Sequence, residues 1–213
     1  LTLEPLAAAY QTEFRSFAAE EQTGVLPVRP ILFYGSSSIR RWSTLRRDFD
    51  GLPVVNRGFG GSTLEECVAL LDRLVSPVKP RAIVLYAGDN DLDQGASPET
   101  VLSRFEQFAG GVRTRLGWTP IVYVSVKPCP ARFWNSTKIE AANALVQKAI
   151  SLRWREAVFV DVYQAMLDAG GAPRGELFDR DGLHLSPAGY AIWSEAIQQA
   201  LAETGLQREP RIP

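Results

Sequence analysis

Histidine occurs once in the 213-residue chain, at His184, within Phe178-Asp179-Arg180-Asp181-Gly182-Leu183-His184-Leu185-Ser186-Pro187. An imidazole is the side chain best matched to proton transfer near neutral pH, so any histidine-dependent chemistry here must use this one. Asp181 stands three residues before it. That spacing lets a carboxylate accept from one ring nitrogen and leave the other free as a base. Asp179 is the competing orienter, at a less favourable spacing.

A base needs a proton to take. Gly35-Ser36-Ser37-Ser38 offers hydroxyls, which are poor nucleophiles until a base deprotonates them. Serines in a strand-to-helix turn also serve as helix caps, and the residues alone leave open which serine would react. Asn56-Arg57-Gly58-Phe59-Gly60-Gly61-Ser62 offers backbone N–H groups with no side chain in the way, Gly61 above all. Such glycines equally serve to permit positive φ or close packing. In Gly88-Asp89-Asn90-Asp91, Asn90 can donate to an oxyanion without becoming charged, or simply tie down a turn. The glycine spacing is neither a dinucleotide fingerprint nor a Walker A loop. Asp89 to Asp93 superficially resembles a calcium loop, but Gln94 and Thr100 stand where an EF-hand needs glycine and glutamate. No metal and no cofactor is expected.

The elements that must position these clusters alternate. Strands are predicted at Ile31–Gly35, Pro53–Asn56, Ala82–Ala87, Ile121–Val126 and Ala157–Asp161, all apolar almost throughout, as in strands covered on both faces. Between them the period becomes helical: Leu64, Val68, Leu71, Val75; then Val101, Phe105, Phe108, Val112; then Ile139, Ala142, Val146, Ala149. Thr63 with Glu66, and Thr137 with Glu140, have capping-box spacing, while Pro98 and Pro187 suit a first helical turn. Leu6, Tyr10, Phe14 and Phe17 suggest an N-terminal helix, and a last helix is expected from Pro187 to Ala202.

This alternation implies right-handed βαβ units and an α/β, three-layer fold around a five-stranded parallel sheet of flavodoxin-like order 2-1-3-4-5. Such sheets bind ligands at the carboxyl ends of their strands, and every polar or glycine-rich cluster follows a strand, on that same rim. One domain over residues 1–213 is expected, with a helical extension over 1–24 and a loose tail over 205–213. Net charge of −1 with 22% charged residues gives no electrostatic reason for a nucleic acid or anionic membrane partner, and no apolar run is long enough to span a bilayer. Cys67 and Cys129 follow strands three positions apart, on the order of 14 Å at the usual strand spacing, so two free thiols are expected.

Together, in this order, the four clusters resemble the SGNH hydrolases, the esterase superfamily also called GDSL. Gly35-Ser36-Ser37 matches its G-D-S block with serine in place of aspartate, and Trp42 falls where many members carry an aromatic. Asn56 to Gly61, Gly88 to Asp91, and Asp181 to His184 match its glycine loop, its G-x-N-D block and its D-x-x-H block. The resemblance implies Ser37 as nucleophile, His184 as general base and Asp181 as its orienter. It also implies an oxyanion hole from the Ser37 and Gly61 N–H groups and the Asn90 amide. No G-x-S-x-G elbow is present, so the α/β-hydrolase family fits less well.

The expected reaction is hydrolysis of a small-molecule or carbohydrate ester. Phe133 and Trp134, after the fourth strand, could stack on a sugar, line an acyl pocket, or pack beneath their own loop. No long apolar lid is visible, which favours short acyl groups, acetyl foremost. Thioesterase and lysophospholipase activities also occur in the superfamily. Rival readings are a non-catalytic binding domain, Cys129 as nucleophile, and catalysis by a bound metal. The residues carry no reading of oligomeric state.

Overall fold

Runs of Val, Ile and Leu buried on both faces can satisfy their backbone groups only by pairing with one another. The computed structural model describes residues 3–24 and 26–206 and shows that pairing. In chain order the main elements are α1 (Leu3–Ala9), α2 (Gln11–Gln22), β1 (Ile31–Gly35), α3 (Ser37–Arg40), α4 (Leu45–Asp48), β2 (Val54–Gly58) and α5 (Leu64–Ala69). There follow β3 (Ala82–Tyr86), α6 (Asp89–Asp93), α7 (Pro98–Leu116), β4 (Ile121–Val124), α8 (Ser136–Arg153), β5 (Ala157–Val160) and α9 (Pro187–Glu203).

The strands form one sheet in the order β2-β1-β3-β4-β5, every pair parallel, as expected. Alternate residues of each strand enter opposite cores, the period-two rule of a pleated strand. Leu32, Tyr34, Ile83 and Leu85 join the layer of α5, α7 and α8, together with Tyr10 and Phe14 from the N-terminal segment. Ile31, Phe33, Val84 and Tyr86 join Trp42, Phe49, Tyr190 and Trp193 on the other face. The chain leaves β1 for β2 and then returns to pair β3 against β1's other edge. The crevice between the carboxyl ends of β1 and β3 is therefore the topological switch point where open parallel sheets take ligands.

Two glycines make that crevice possible. At Gly35, φ is +126° and a Cβ would lie 2.0 Å from the Tyr86 carbonyl oxygen. At Gly58 a Cβ would lie 2.2 Å from the Arg40 nitrogen. Only glycine lets α3 turn this closely over the strand ends.

Several expectations shift. The N-terminal helix breaks at Tyr10 into α1 and α2, although Leu6, Tyr10 and Phe14 are buried as their spacing predicted. Strand β2 runs on to Gly58, because its register carries Gly58 opposite Gly35, while β4 stops at Val124. The Thr63–Glu66 capping box forms at α5. The Thr137–Glu140 box does not: α8 begins at Ser136, and Glu140 Oε1 accepts instead from the Tyr163 hydroxyl at 2.9 Å. Ser186 caps α9, its Oγ accepting from the Gly189 N–H. Of the expected tail, Gly205 and Leu206 donate to carbonyls of the last turn of α9, and 207–213 lie outside the described residues.

Candidate active site

The turn from β1 into α3 separates three adjacent serines. Ser36 is buried and held by its backbone: its N–H donates to the Tyr86 carbonyl at 2.9 Å and its own carbonyl accepts from Ile39 at 2.9 Å. Ser38 is buried as well, its carbonyl accepting from the Tyr190 hydroxyl at 2.8 Å. The Ser37 side chain alone of the three stands 3.0 Å from His184, Oγ to Nε2. Beneath α3, Trp42 is buried against Phe33, Phe49 and Tyr190, with its indole N–H on Asp48 Oδ2 at 2.8 Å.

On its other side His184 Nδ1 lies 2.6 Å from Asp181 Oδ2. The second carboxylate oxygen of Asp181 accepts the backbone N–H groups of Leu183 and His184, each at 2.9 Å. Arg41, which caps the C-terminus of α3, adds an Nη1 contact of 3.3 Å to Oδ2. Loss of solvent acts to raise the Asp181 pKa, but the hydrogen bonds from the His184 ring and the two backbone N–H groups outweigh it. The carboxyl is held well below the usual carboxylate range. Asp181, not Asp179, meets Nδ1; the Asp179 backbone N–H closes the loop on the His184 carbonyl at 2.8 Å.

Gly61 lies at the exposed tip of the loop after β2 with φ +75°. Among the described residues its N–H meets no acceptor. The loop is tied to the serine turn at its base, where Phe59 N–H donates to the Gly35 carbonyl at 2.9 Å. Asn56 adds a second tie, donating to the Ile39 carbonyl at 2.7 Å and accepting from the Gly58 N–H at 2.8 Å. Asn90, in the first turn of α6, reaches the same loop, its Nδ2 donating to the Ser62 carbonyl at 2.9 Å. One Nδ2 hydrogen remains.

The carboxylates of the calcium-like stretch diverge. Asp89 accepts from Lys127 Nζ at 3.0 Å and Arg132 Nη1 at 2.8 Å, while Asp91 takes the Leu64 N–H and Arg104 Nη1. Burial opposes ionisation of Asp89, but the two cations prevail and keep its carboxyl below the usual range. Among the described residues no group of three His, Cys, Asp or Glu side chains is arranged to hold a metal ion.

Neither cysteine is poised to react. Both are free and fully buried, and burial pushes both thiols above their ordinary pKa, away from the nucleophilic thiolate. Phe133 and Trp134 lie on the short 3₁₀ segment Pro130–Asn135 after β4. Trp134 is 70% exposed, so it does not pack beneath its own loop; Phe133 is half-buried.

The sequence reading missed Arg132, Lys127 and the role of Asn56. The Asn56 position inside the glycine loop was visible, but its two bonds depend on α3 folding back over β2. Nothing in the sequence around Lys127 and Arg132 marks them; the adjacency of β3 and β4 sets them against Asp89.

The class this fold and site define agrees with the comparisons. The model of the GDSL-like Lipase/Acylhydrolase family matches residues 23–192. The chain belongs to that family, and the protein is accordingly a carboxylic ester hydrolase. A Streptococcus pneumonia structure named as a candidate platelet activating factor superposes with a TM-score of 0.80 at 24% identity, covering 93% of this chain and 96% of that one. A GDSL-like lipase from Bacteroides thetaiotaomicron gives 0.76 at 22% identity, with 90% and 98% covered. A carbohydrate esterase of family 3 from Talaromyces cellulolyticus gives 0.67 at 16% identity, with 84% and 99% covered. At these identities the structural likeness bears on the fold. Comparison with curated proteins finds no significant match. No described helix is long and apolar enough to cross a membrane.

Proposed function

We propose that the protein hydrolyses short-acyl esters, acetyl foremost, with Ser37 as nucleophile, His184 as general base and Asp181 as its orienter. The observation that carries this reading is the continuous hydrogen-bonded chain Asp181–His184–Ser37, at 2.6 and 3.0 Å. Ser37 Oγ attacks the ester carbonyl as its proton passes to His184 Nε2. The imidazolium so formed is stabilised by Asp181, which stays ionised. The tetrahedral oxyanion is received by the Ser37 and Gly61 N–H groups and the free Asn90 amide hydrogen. Collapse expels the alcohol, protonated by His184, and leaves an acyl-Ser37 ester. Water then attacks that ester, giving its proton to His184, and release of the carboxylic acid restores Ser37.

Trp134 favours a carbohydrate alcohol. Its indole, 70% exposed on the same 3₁₀ segment as Arg132, offers a flat apolar face of the kind that stacks on a pyranose ring. The test is a panel of p-nitrophenyl esters of increasing chain length beside acetylated sugars, assayed with wild type and Ser37→Ala. Turnover that is greatest with acetyl and abolished in the variant is expected. Failure of wild type on every ester would overturn the assignment, and equal turnover in Ser37→Ala would overturn the mechanism.

A further inference from the structure

A side-chain amide is ambiguous as an oxyanion donor. Rotated by half a turn, it presents its carbonyl oxygen where its NH₂ should be, and an oxygen there repels the charge it is meant to receive. Something must select one of the two orientations. We propose that Arg132 does so, as the positioning residue of the oxyanion site; this rests on the reading of Asn90 given above.

Asn90 is gripped by two partners of opposite kind. Arg132 Nη1 lies 3.1 Å from Asn90 Oδ1, and a guanidinium can only donate. The Ser62 carbonyl lies 2.9 Å from Asn90 Nδ2, and a carbonyl can only accept. A flipped amide would set Nδ2 against the guanidinium and Oδ1 against the carbonyl, losing both bonds and facing like dipoles at each end. The amide is therefore locked with its second N–H uncommitted. The guanidinium also draws electron density toward Oδ1, which strengthens the remaining N–H as a donor.

Arg132 is itself fixed, with 15% of its side chain exposed. Its Nη1 also binds Asp89 Oδ1 at 2.8 Å, and its Nη2 binds Asp93 Oδ2 at 2.8 Å. Asp89 is held from behind by Lys127 Nζ at 3.0 Å and the Tyr86 hydroxyl at 3.2 Å. Two cations meet two carboxylates, so the cluster adds orientation without a large net charge. The planar fork of arginine suits the task because it spans Asp89, Asn90 and Asp93 at once, which one ammonium cannot. The same 3₁₀ segment touches the loop of the proposed base: Ala131 N–H donates to the Gly182 carbonyl at 3.1 Å.

The test is a double-mutant cycle read by steady-state hydrolysis of p-nitrophenyl acetate, with Arg132→Met, Arg132→Lys, Asn90→Ala and the pairs. Arg132→Met should lower kcat roughly 10- to 100-fold with KM little changed, a loss no greater than that in Asn90→Ala. In the Asn90→Ala background the same change should cost less than about threefold, since the group it positions is gone. Arg132→Lys keeps the charge and guards against misfolding; it should recover only part of the loss. An undiminished cost in the Asn90→Ala background would overturn the proposal, because a merely structural arginine would act there too. A readout independent of turnover is the ¹⁵N-resolved side-chain amide of Asn90. Its two protons should be distinct and slow to exchange in wild type, and should shift and exchange faster in Arg132→Met and Arg132→Lys. Unchanged amide resonances would overturn the role of Arg132 even if wild type hydrolysed no ester. That last result would overturn the function reading instead.

Discussion

The Nε2 of His184 stands 3.0 Å from the Oγ of Ser37, across 147 positions of sequence. The contact exists because β1 and the loop before α9 end on the same rim, and Gly35 lets the serine turn descend close to β3. With one histidine in the chain, no second imidazole can replace it. His184→Ala and Ser37→Ala are each expected to lower kcat by about 10⁴-fold or more, and the double variant by little beyond either single change. Multiplicative losses in the double variant would mean that the two residues do not act as a unit.

Asp181→Asn isolates the proposed orienter. The amide can still meet the ring nitrogen but no longer supplies the charge that the imidazolium needs, and it permits the wrong tautomer. A fall in kcat on the order of 10³–10⁴ is expected with KM nearly unchanged. Arg41→Gln, which removes the 3.3 Å contact to the same carboxylate oxygen, should cost far less, because Asp181 keeps its two backbone donors. An equal loss in both variants would transfer the orienting role to the ion pair.

Asn90→Ala tests the proposed oxyanion site directly. Loss of one positioned donor should lower kcat by roughly 10²–10³. Labelling of Ser37 by an aryl phosphonate should slow in proportion, since that adduct also places an oxygen among the donors. Unchanged kcat would remove Asn90 from the mechanism.

The thiols predict inertness. Cys67 and Cys129 are fully buried with raised pKa values, so iodoacetamide should leave native activity intact and label both residues only after unfolding. Rapid inactivation that follows Cys129 labelling would return that residue to the mechanism.

Different parts of this arrangement were legible in the sequence to different degrees, for physical reasons. The strand order and the shared rim follow from apolar runs alternating with helical periods, because both reflect burial, which dominates the energy of a βαβ fold. His184 and Asp181 could be paired because they stand only three positions apart in one loop. Choosing among three adjacent serines by chemistry alone was not possible, since only the local turn buries Ser36 and Ser38 and turns Ser37 toward the imidazole. Thr137 is not a cap because α8 already starts at Ser136 and places it inside the first turn, and Glu140 bonds instead to Tyr163, which arrives from beyond β5. Arg132 was invisible for the same reason: its partners lie about forty residues earlier and meet it only through β3–β4 pairing.

The buried Asp89–Lys127 pair makes the acid sensitivity of the fold predictable. Lys127 is 1% exposed and Asp89 5%, and Lys127 is held above its ordinary pKa, its burial outweighed by Asp89. The Asp89 carboxyl is lowered, so the unfolded chain, with an aspartate near about 3.9, binds the proton first as pH falls. Its stabilising contribution is therefore complete at neutral pH and is lost as pH falls below about 4 through the folded value. Lys127 adds no opposing slope there, since its raised value places its own loss far on the alkaline side. Asp89→Asn strands a buried ammonium beside Arg132, and should cost about 3–5 kcal/mol at pH 7. Urea unfolding followed from pH 7 to pH 2.5 should show the gap between wild type and Asp89→Asn narrowing below pH 4, because wild type alone has this carboxylate to protonate. A gap that stayed constant over that range would mean that folding does not lower the Asp89 pKa.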